Sequence, residues 1–548
     1  MTTTSNPADR LDSWKEIAVY LRRDVRTVQR WEKREGLPVY RHQHDKLGSV
    51  FAYRSEVAAW FKGRQQLGTT QDTGKIKLAV LPFANLNAGA EGDYFSDGLT
   101  EEMITQITRL QPGRLAVIAH DTAMHYKASS KPLEQMKQDL GVDYVLVGKV
   151  RRADQRVRIT AQLVEVEDQT QLWAETYDRD LSDILALQAD IAQAISAEIH
   201  LVLNRSESTR LTELQRGQGR VHPAAYETYL KARYHLHEML PASIKKSIEY
   251  FEHAVQQDPK YAPAHSGLAS AYALVAIAPF DVVPPHQAMP KAEAAARKSL
   301  ELDESLPEAH TALALVHHHY HWKWAEAETG YRRAIELNPD YAAAHLWYSW
   351  LLLALGRNEE AVQEIERTLT IVQETDPRRM VAVHATRAGA YYLARQYKQA
   401  VQEAEKGLEL NPNHFMLHYV MGRAYALMDM NAKAIAQLKP KGTAAGEIPL
   451  LDAALGLAYA VDGQPEQTLK ALEALKALAK KRYVPSTYFG MLYGGLGDRK
   501  QSLEWLEKAY EERADGLLWL NVDPMLDAVR LLPQFKDLIS RIGLVRKN

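Results

Sequence analysis

Arg26, Arg30 and Lys33 fall at i, i+4 and i+7, so on a helix they share one stripe, with Gln29 beside it. Arginine and glutamine can pair with guanine and adenine edges, and all three cations can meet phosphate. Any solvated helix face can carry such a stripe, so its meaning depends on the elements that position it.

Those elements can be read from the neighbouring residues. Ser13 and Glu16 form an S-x-x-E capping box, which predicts a helix from Trp14 with Trp14, Ile17, Ala18 and Leu21 on one apolar face. Asp24 suits the N-cap of a second helix, in which Val25, Val28 and Trp31 face inward. Gly36 fits its exit and Pro38 cannot continue it. Val39 to His42 and Val50 to Tyr53 read as two strands around a turn at Gly48. Ser55 is the expected cap of a third helix burying Val57 and Trp60. Two helices, a hairpin "wing" and a third helix make a unit that places its second helix in the DNA major groove. From Arg10 to Arg64 there are 13 Lys plus Arg against 7 Asp plus Glu, whereas the whole chain carries −2. A basic head on an acidic body is the asymmetry expected when one domain meets phosphate.

The segment WKEIAVYLRRDVRTVQRWEKREGLPVYRH, followed by AYRSEVAAW, resembles the MerR- or excisionase-like winged helix-turn-helix domains that head bacterial TolB-like/TPR regulators. The resemblance covers about 50 residues. It implies that Arg23, Arg26, Thr27, Gln29 and Arg30 face double-stranded DNA, with His44 and Lys46 on the wing.

At 548 residues the chain should hold three or four domains. It has no cysteine, which excludes disulfides, a thiol nucleophile and a Cys-based zinc site. MTTTSNPADR has no apolar core and cannot be a signal peptide. No apolar run approaches the length of a membrane span; the longest, near Leu346 to Leu355, is interrupted by Tyr348 and Ser349. The expected location is the cytoplasm.

Residues 1–9 read as a disordered start, 10–64 as the DNA-binding domain and 65–75 as a polar linker. From Ile76 to residue 204 the order is strand, helix, strand, helix, three strands and a longer helix, an α/β arrangement. Thr100 is the expected cap of EEMITQITRL, and Gly141 the end of PLEQMKQDLG. AVLPFANL, YFSDGLTEEMITQITRL and the run from GVDYVLVGKVRR to LSDILALQADIA resemble the TolB N-terminal-like (FlgO-like) domain. Gly141 to Lys149 has the wrong spacing for a phosphate loop and reads as a strand. Asp93, Asp97, Glu101 and Glu102 cluster around Gly98, but helix starts favour acidic residues without any ion. Tyr94-Phe95 reads as a hydrophobic plug in a loop, and Asp178, Asp180 and Asp183 as loop and cap residues.

Residues 205–220 form a second polar linker. From 221 to 514 a pattern recurs about every 34 to 40 residues. Asp258-Pro259, Asn338-Pro339, Asp376-Pro377 and Asn411-Pro412 punctuate it. Ser247, Phe251 and Ala254, then Ala327, Tyr331 and Ala334, then Ala400, Ala404 and Gly407 repeat one small-large-small helix face. First helices supply Gly422 with Tyr425, Gly456 with Tyr459, and Gly490 with Tyr493. The pattern resembles the tetratricopeptide repeat (TPR), with about eight copies, an insertion around Pro284-Pro285, and 515–548 as C-terminal capping helices. The resemblance implies an all-α superhelix whose concave groove takes a protein or peptide. His317 and His321 are spaced i, i+4 like a metal pair, but no third ligand is evident and His318 suits the aromatic packing position. Histidines 265, 310, 345, 384 and 418 recur near first-helix starts.

The expectation is thus a multidomain cytoplasmic regulator: a small winged helix-turn-helix, an α/β TolB-like domain and an all-α TPR solenoid. It binds DNA as a homodimer and a partner through its repeats, without cofactor, metal or catalysis. The alternatives are a TPR scaffold without sequence-specific DNA binding, and a non-catalytic relative of adenylate-cyclase-associated TolB-like/TPR proteins.

Overall fold

The computed structural model describes residues 10–21, 28, 32, 37–41, 50–57, 75–87, 90–108, 114–126, 133–199, 220–375, 380–439, 448–530 and 532–544. It divides into two compact units, Met1–Lys75 and Ile76–Asn548.

In the first unit the helix Trp14–Leu21 starts where the capping box places it. The Glu16 amide donates to Ser13 Oγ at 3.2 Å, and the Asp12 amide to the Glu16 carboxylate at 3.0 Å. Strands β1 (Arg10–Leu11), β2 (Tyr40–Arg41) and β3 (Val50–Tyr53) form an antiparallel sheet in the order β1-β3-β2. Leu11, Ile17, Ala18, Val28, Leu37, Val50, Ala52 and Val57 make its core. Helical backbone resumes at residues 54–57, so Ser55 lies inside the helix rather than capping it. Trp31, Gly48 and Trp60 lie outside the described residues.

The second unit opens on a mixed sheet. Strands β4 (Ile76–Val80), β6 (Leu115–Val117) and β7 (Tyr144–Ala153) run parallel, while β8 (Arg156–Glu165) and β9 (Thr170–Asp180) continue antiparallel. The order is β6-β4-β7-β8-β9, with the short β5 (Ala84–Asn85) on β7. Val157, Ile159, Ala161 and Leu163 alternate inward along β8, as a half-buried strand requires. Helices Ala90–Thr108 and Ile184–Glu198 cover that face, and Leu133–Leu140 lies over Ala79 and Val145 on the other. Gly141, at φ 64°, ends the helix Leu133–Leu140 as its sequence requires. Gly148 sits where an added Cβ would lie 2.5 Å from the Phe83 ring, so the glycine in GVDYVLVGK serves strand packing.

Three local expectations are corrected here. Thr100 lies within the helix Ala90–Thr108 rather than before it. Its hydroxyl donates to the Ser96 carbonyl at 2.7 Å and accepts from the Phe83 amide at 2.9 Å, which ties helix to strand. Tyr94 and Phe95 belong to the same helix, not to a loop. Asp178 lies on β9 and takes two bonds each from Arg156 and Arg158.

Beyond residue 220 the described residues form eight antiparallel helix hairpins, starting with Pro223–His237/Pro241–Gln257 and ending with Ser486–Gly495/Arg499–Glu512. The repeated small-large-small faces are buried throughout. Three of the four punctuation residues act through their side chains, and Asp376-Pro377 lies outside the described residues. Asp258, Asn338 and Asn411 each accept from the amide two residues on, at 3.1 Å in every case. One apolar core runs unbroken from Leu78 to Val316. The sheet region and the first hairpins therefore fold as one body, with Phe95 edge-on to Tyr226 and Leu230 pressed against Gly98.

Candidate functional site

Arg23, Arg26, Thr27, Gln29, Arg30, Lys33, His44 and Lys46 all lie outside the described residues. Arg10, Arg41 and Arg54 are engaged within the first unit. Arg41 donates to Glu32 at 2.8 Å, Arg10 stacks 4.2 Å from the Phe51 ring centre, and Arg54 faces Tyr20.

The acidic cluster near Gly98 has a structural use. Glu101 and Glu102 are almost fully buried and both pair with Arg233 of the first hairpin. Tyr229 donates to Glu102 at 2.9 Å, and His237 lies 2.7 Å from Glu101. Two carboxylates facing one guanidinium, with tyrosine and histidine supplying further bonds, make a closed ionic lock.

The recurring histidines also have a structural use. Nε2 of His265, His345 and His418 lies 2.9–3.0 Å from the carbonyls of Pro259, Pro339 and Pro412, six residues back in each case. His310 holds Glu304 in the same way. Nδ1 of His345, His384 and His418 meets Glu364, Glu403 and Gln437 nineteen residues on. His345 and His418 make both contacts, so each ties its own turn to the next helix.

The run His317–His321 forms a π-type turn closed by Trp322 in the left-handed region at φ 56°. Burial holds the His318 imidazole well below its usual value, so it packs neutral against Tyr331. His321 pairs with Glu293 at 2.8 Å, and His319 pairs with Asp515, nearly two hundred residues away. No group of three metal-ligating side chains occurs among the described residues.

Asp515 belongs to a segment that crosses the first helices of the array. After the last hairpin, Arg513 turns the chain at φ 58°. Two short 3-10 turns, Asp515–Trp519 and Pro524–Leu526, and the four-residue helix Asp527–Arg530 follow. Trp519 meets Trp350 with ring centres 5.5 Å apart. Asp523 accepts from the Tyr392 hydroxyl at 2.8 Å and pairs with Arg423, which stacks between Tyr392 and Tyr419. Arg395 donates to Asp527 at 2.8 Å. These partners sit on or just beyond first helices of hairpins four, five and six, which pack one on the next. The part of the tail expected to cap the end of the array therefore lies on its helix face. Among the described residues Pro533–Ile542 packs on Arg499–Glu512 as expected of a capping helix, and its Ile542 carbonyl also accepts from Trp324 Nε1 of hairpin three at 2.9 Å.

The insertion in repeat two reaches the same place. Its Asp281 accepts from Tyr488 of hairpin eight at 2.6 Å, and the Ala278 amide donates to Asp515 at 3.3 Å. Burial pushes the Asp281 carboxyl up to about 7; the Tyr488 hydrogen bond opposes the shift and the nearby Asp515 carboxylate adds to it.

None of this tail contact was legible beforehand. Asp515, Asp523 and Arg423 are ordinary residues in their local windows. The one signal, the insertion in repeat two, says that something reaches out but not to what.

Comparisons with known proteins bear on both halves of the second unit. Residues 74–194 match the second domain of HilA/YgeH-like transcriptional regulators. Residues 323–384 match a tetratricopeptide repeat model, so repeats of that kind are present. The chain is 32% identical to "Putative adenylate cyclase 3" of Rhizobium meliloti over 241 residues, 44% of this chain and 40% of that one. It is 23% identical to Transcriptional regulator HilA of Salmonella typhimurium over 311 residues, 56% of this chain and 52% of that one. The chain thus spans about half the length of the curated relatives it matches. A solved tetratricopeptide repeat protein from Parabacteroides merdae is similar over 50% of this chain and 99% of its own, at 12% identity and a TM-score of 0.36. Pseudomonas aeruginosa pilF is similar over 40% and 92%, at 21% identity and 0.31. No helix among the described residues is long and apolar enough to cross a membrane.

Proposed function

We propose that this chain is a cytoplasmic DNA-binding transcriptional regulator whose repeat array binds a partner protein or peptide. The observation that carries the reading is the match of residues 74–194 to a domain of transcriptional regulators, directly behind a basic head. In this reading residues 10–64 are a winged helix-turn-helix, and the small β1-β3-β2 sheet with its helix is compatible with that scaffold. Arg23, Arg26, Thr27, Gln29, Arg30 and Lys33 meet DNA, with His44 and Lys46 on the wing. Residues 76–204 are the TolB N-terminal-like domain, and a homodimer engages paired half-sites.

Genome-wide occupancy of the intact protein beside an Arg26→Ala/Arg30→Ala variant tests the DNA reading. Enriched sites that the variant loses are expected. Phosphate contacts should also make binding fall steeply between 50 and 200 mM salt, on the order of 10³-fold for six contacts. An identical site map for the variant would overturn direct readout.

The similarity to the Rhizobium protein favours a second reading, a non-catalytic scaffold related to proteins associated with cyclases. It predicts no enriched sites for the wild type and a partner complex unaffected by the double substitution.

A further inference from the structure

We infer that the first-helix face of hairpins five and six is a carboxylate-reading peptide site, filled in cis by residues 521–530 and open in trans to an acidic, turn-forming segment of a partner protein. This rests on the partner-binding reading above and names the site and the chemistry of its ligand.

The strap is anchored at both ends by apolar burial. Leu517, Leu518 and Leu520 precede it, and Phe535, Leu538, Ile539 and Ile542 follow, all within one core. Between those anchors the attachment changes character. Pro524 and Asp523 are buried, Met525 is half-buried near Tyr419 and Met416, Leu526 is half-buried against the core that holds Leu517 and Phe535, and the rest of the grip is polar. Tyr392 and Arg423 hold Asp523, and Arg395 holds Asp527. The strap's own structure is a single 3-10 turn and four helical residues, too short to persist alone. A local opening would therefore expose chiefly three apolar side chains, Pro524, Met525 and Leu526, and let the Asp523 carboxylate regain water.

The fit is also incomplete. Arg423 is 7% exposed on its side chain, yet its Nε has no hydrogen-bond partner among the described residues. A buried guanidinium offers five donors, and a carboxylate approaching side-on could take Nε together with Nη. Beside the strap lies a cavity of about 440 Å³ lined by Gly356, Leu393, Arg395, Val522 and Arg530. That volume is room for further side chains from a longer occupant. The ligand chemistry follows from the occupant present: a carboxylate for Arg423 and Tyr392, a proline or methionine against the tyrosines, and a second carboxylate four residues on for Arg395.

Two measurements on the full-length protein test this. In wild type, hydrogen–deuterium exchange should show 521–530 opening at least tenfold faster than Pro533–Ile542 and Phe415–Ala426, which flank and underlie it. Exchange of the strap only together with those helices would make it a fixed part of the fold and overturn the inference. Second, a fluorescein-labelled peptide of residues 519–530 should bind an Asp523→Asn/Asp527→Asn protein at least tenfold more tightly than wild type. Adding Arg423→Leu to that protein should abolish the binding. No binding by a variant that keeps the wild-type helical circular dichroism would also overturn it. A partner captured equally with and without excess peptide would leave partner binding intact and sink this site alone.

Discussion

Two arginines, the half-buried Arg233 and the buried Arg423, hold distant parts of the second unit together, and their surroundings differ. Arg233 faces two carboxylates, Glu101 and Glu102, inside the apolar core that joins the sheet region to the first hairpin. Arg423 faces one, Asp523, on a strap whose apolar contacts come from Pro524, Met525 and Leu526. Neither pair is strong evidence of stability, because desolvation offsets most of the attraction. The cost of breaking each depends on where the abandoned carboxylate can go. Around Arg233 it has no way back to water. On the strap it can leave with its segment.

Substitutions can separate the two cases. Arg233→Ala should cost about 3–5 kcal/mol, because Glu101 and Glu102 remain buried with the guanidinium gone and only His237 and Tyr229 beside them. Urea unfolding followed by circular dichroism measures this, and a loss below about 1 kcal/mol would mean apolar packing alone secures the joint. Arg423→Leu should cost less, about 1–2 kcal/mol, with faster amide exchange confined to 521–530. A global loss as large as that of Arg233→Ala would erase the distinction between the two seams.

A pH titration addresses the contact between hairpins two and eight. The folded Asp281 carboxyl titrates near 7, above its unfolded value, so its contribution is present at low pH and lost as pH rises through 7. Relative to Asp281→Asn, the wild type should lose about 1.4 kcal/mol per pH unit between pH 5 and 6. Parallel pH curves for the two proteins would show that this carboxyl is not held protonated. The smallest effect belongs to Arg395→Ala. Its partner Asp527 is 42% exposed, so the pair should be worth under about 1 kcal/mol to stability. Its effect should appear instead in strap exchange, and a larger stability loss would give Arg395 a packing role.

What could be read from sequence was local. Ser13 with Glu16, Gly141 and the turns at Asp258, Asn338 and Asn411 each act within a few residues, and each works in the structure as its type requires. The buried faces of the repeats followed from their period. Thr100 was misread because a hydroxyl before a helical run suits a cap, whereas here it bonds backward from inside a longer helix. The ionic lock and the strap were hidden for a different reason. Glu102 and Arg233 are 131 residues apart in sequence and Asp523 and Arg423 are 100 apart, so no local window relates them. The histidines were seen to be periodic, but the carbonyl they hold is backbone and leaves no mark in sequence.

The Asp281–Tyr488 contact also changes how the array should come apart. In an open solenoid each unit touches only its neighbours, so unfolding can begin at either terminus and propagate like the end of a zipper. Here the second unit of the row is stapled to the eighth, and loss of an outer hairpin costs contacts at the opposite end as well. Fraying should be suppressed, and the eight hairpins should melt closer to a single cooperative step than their count alone would suggest.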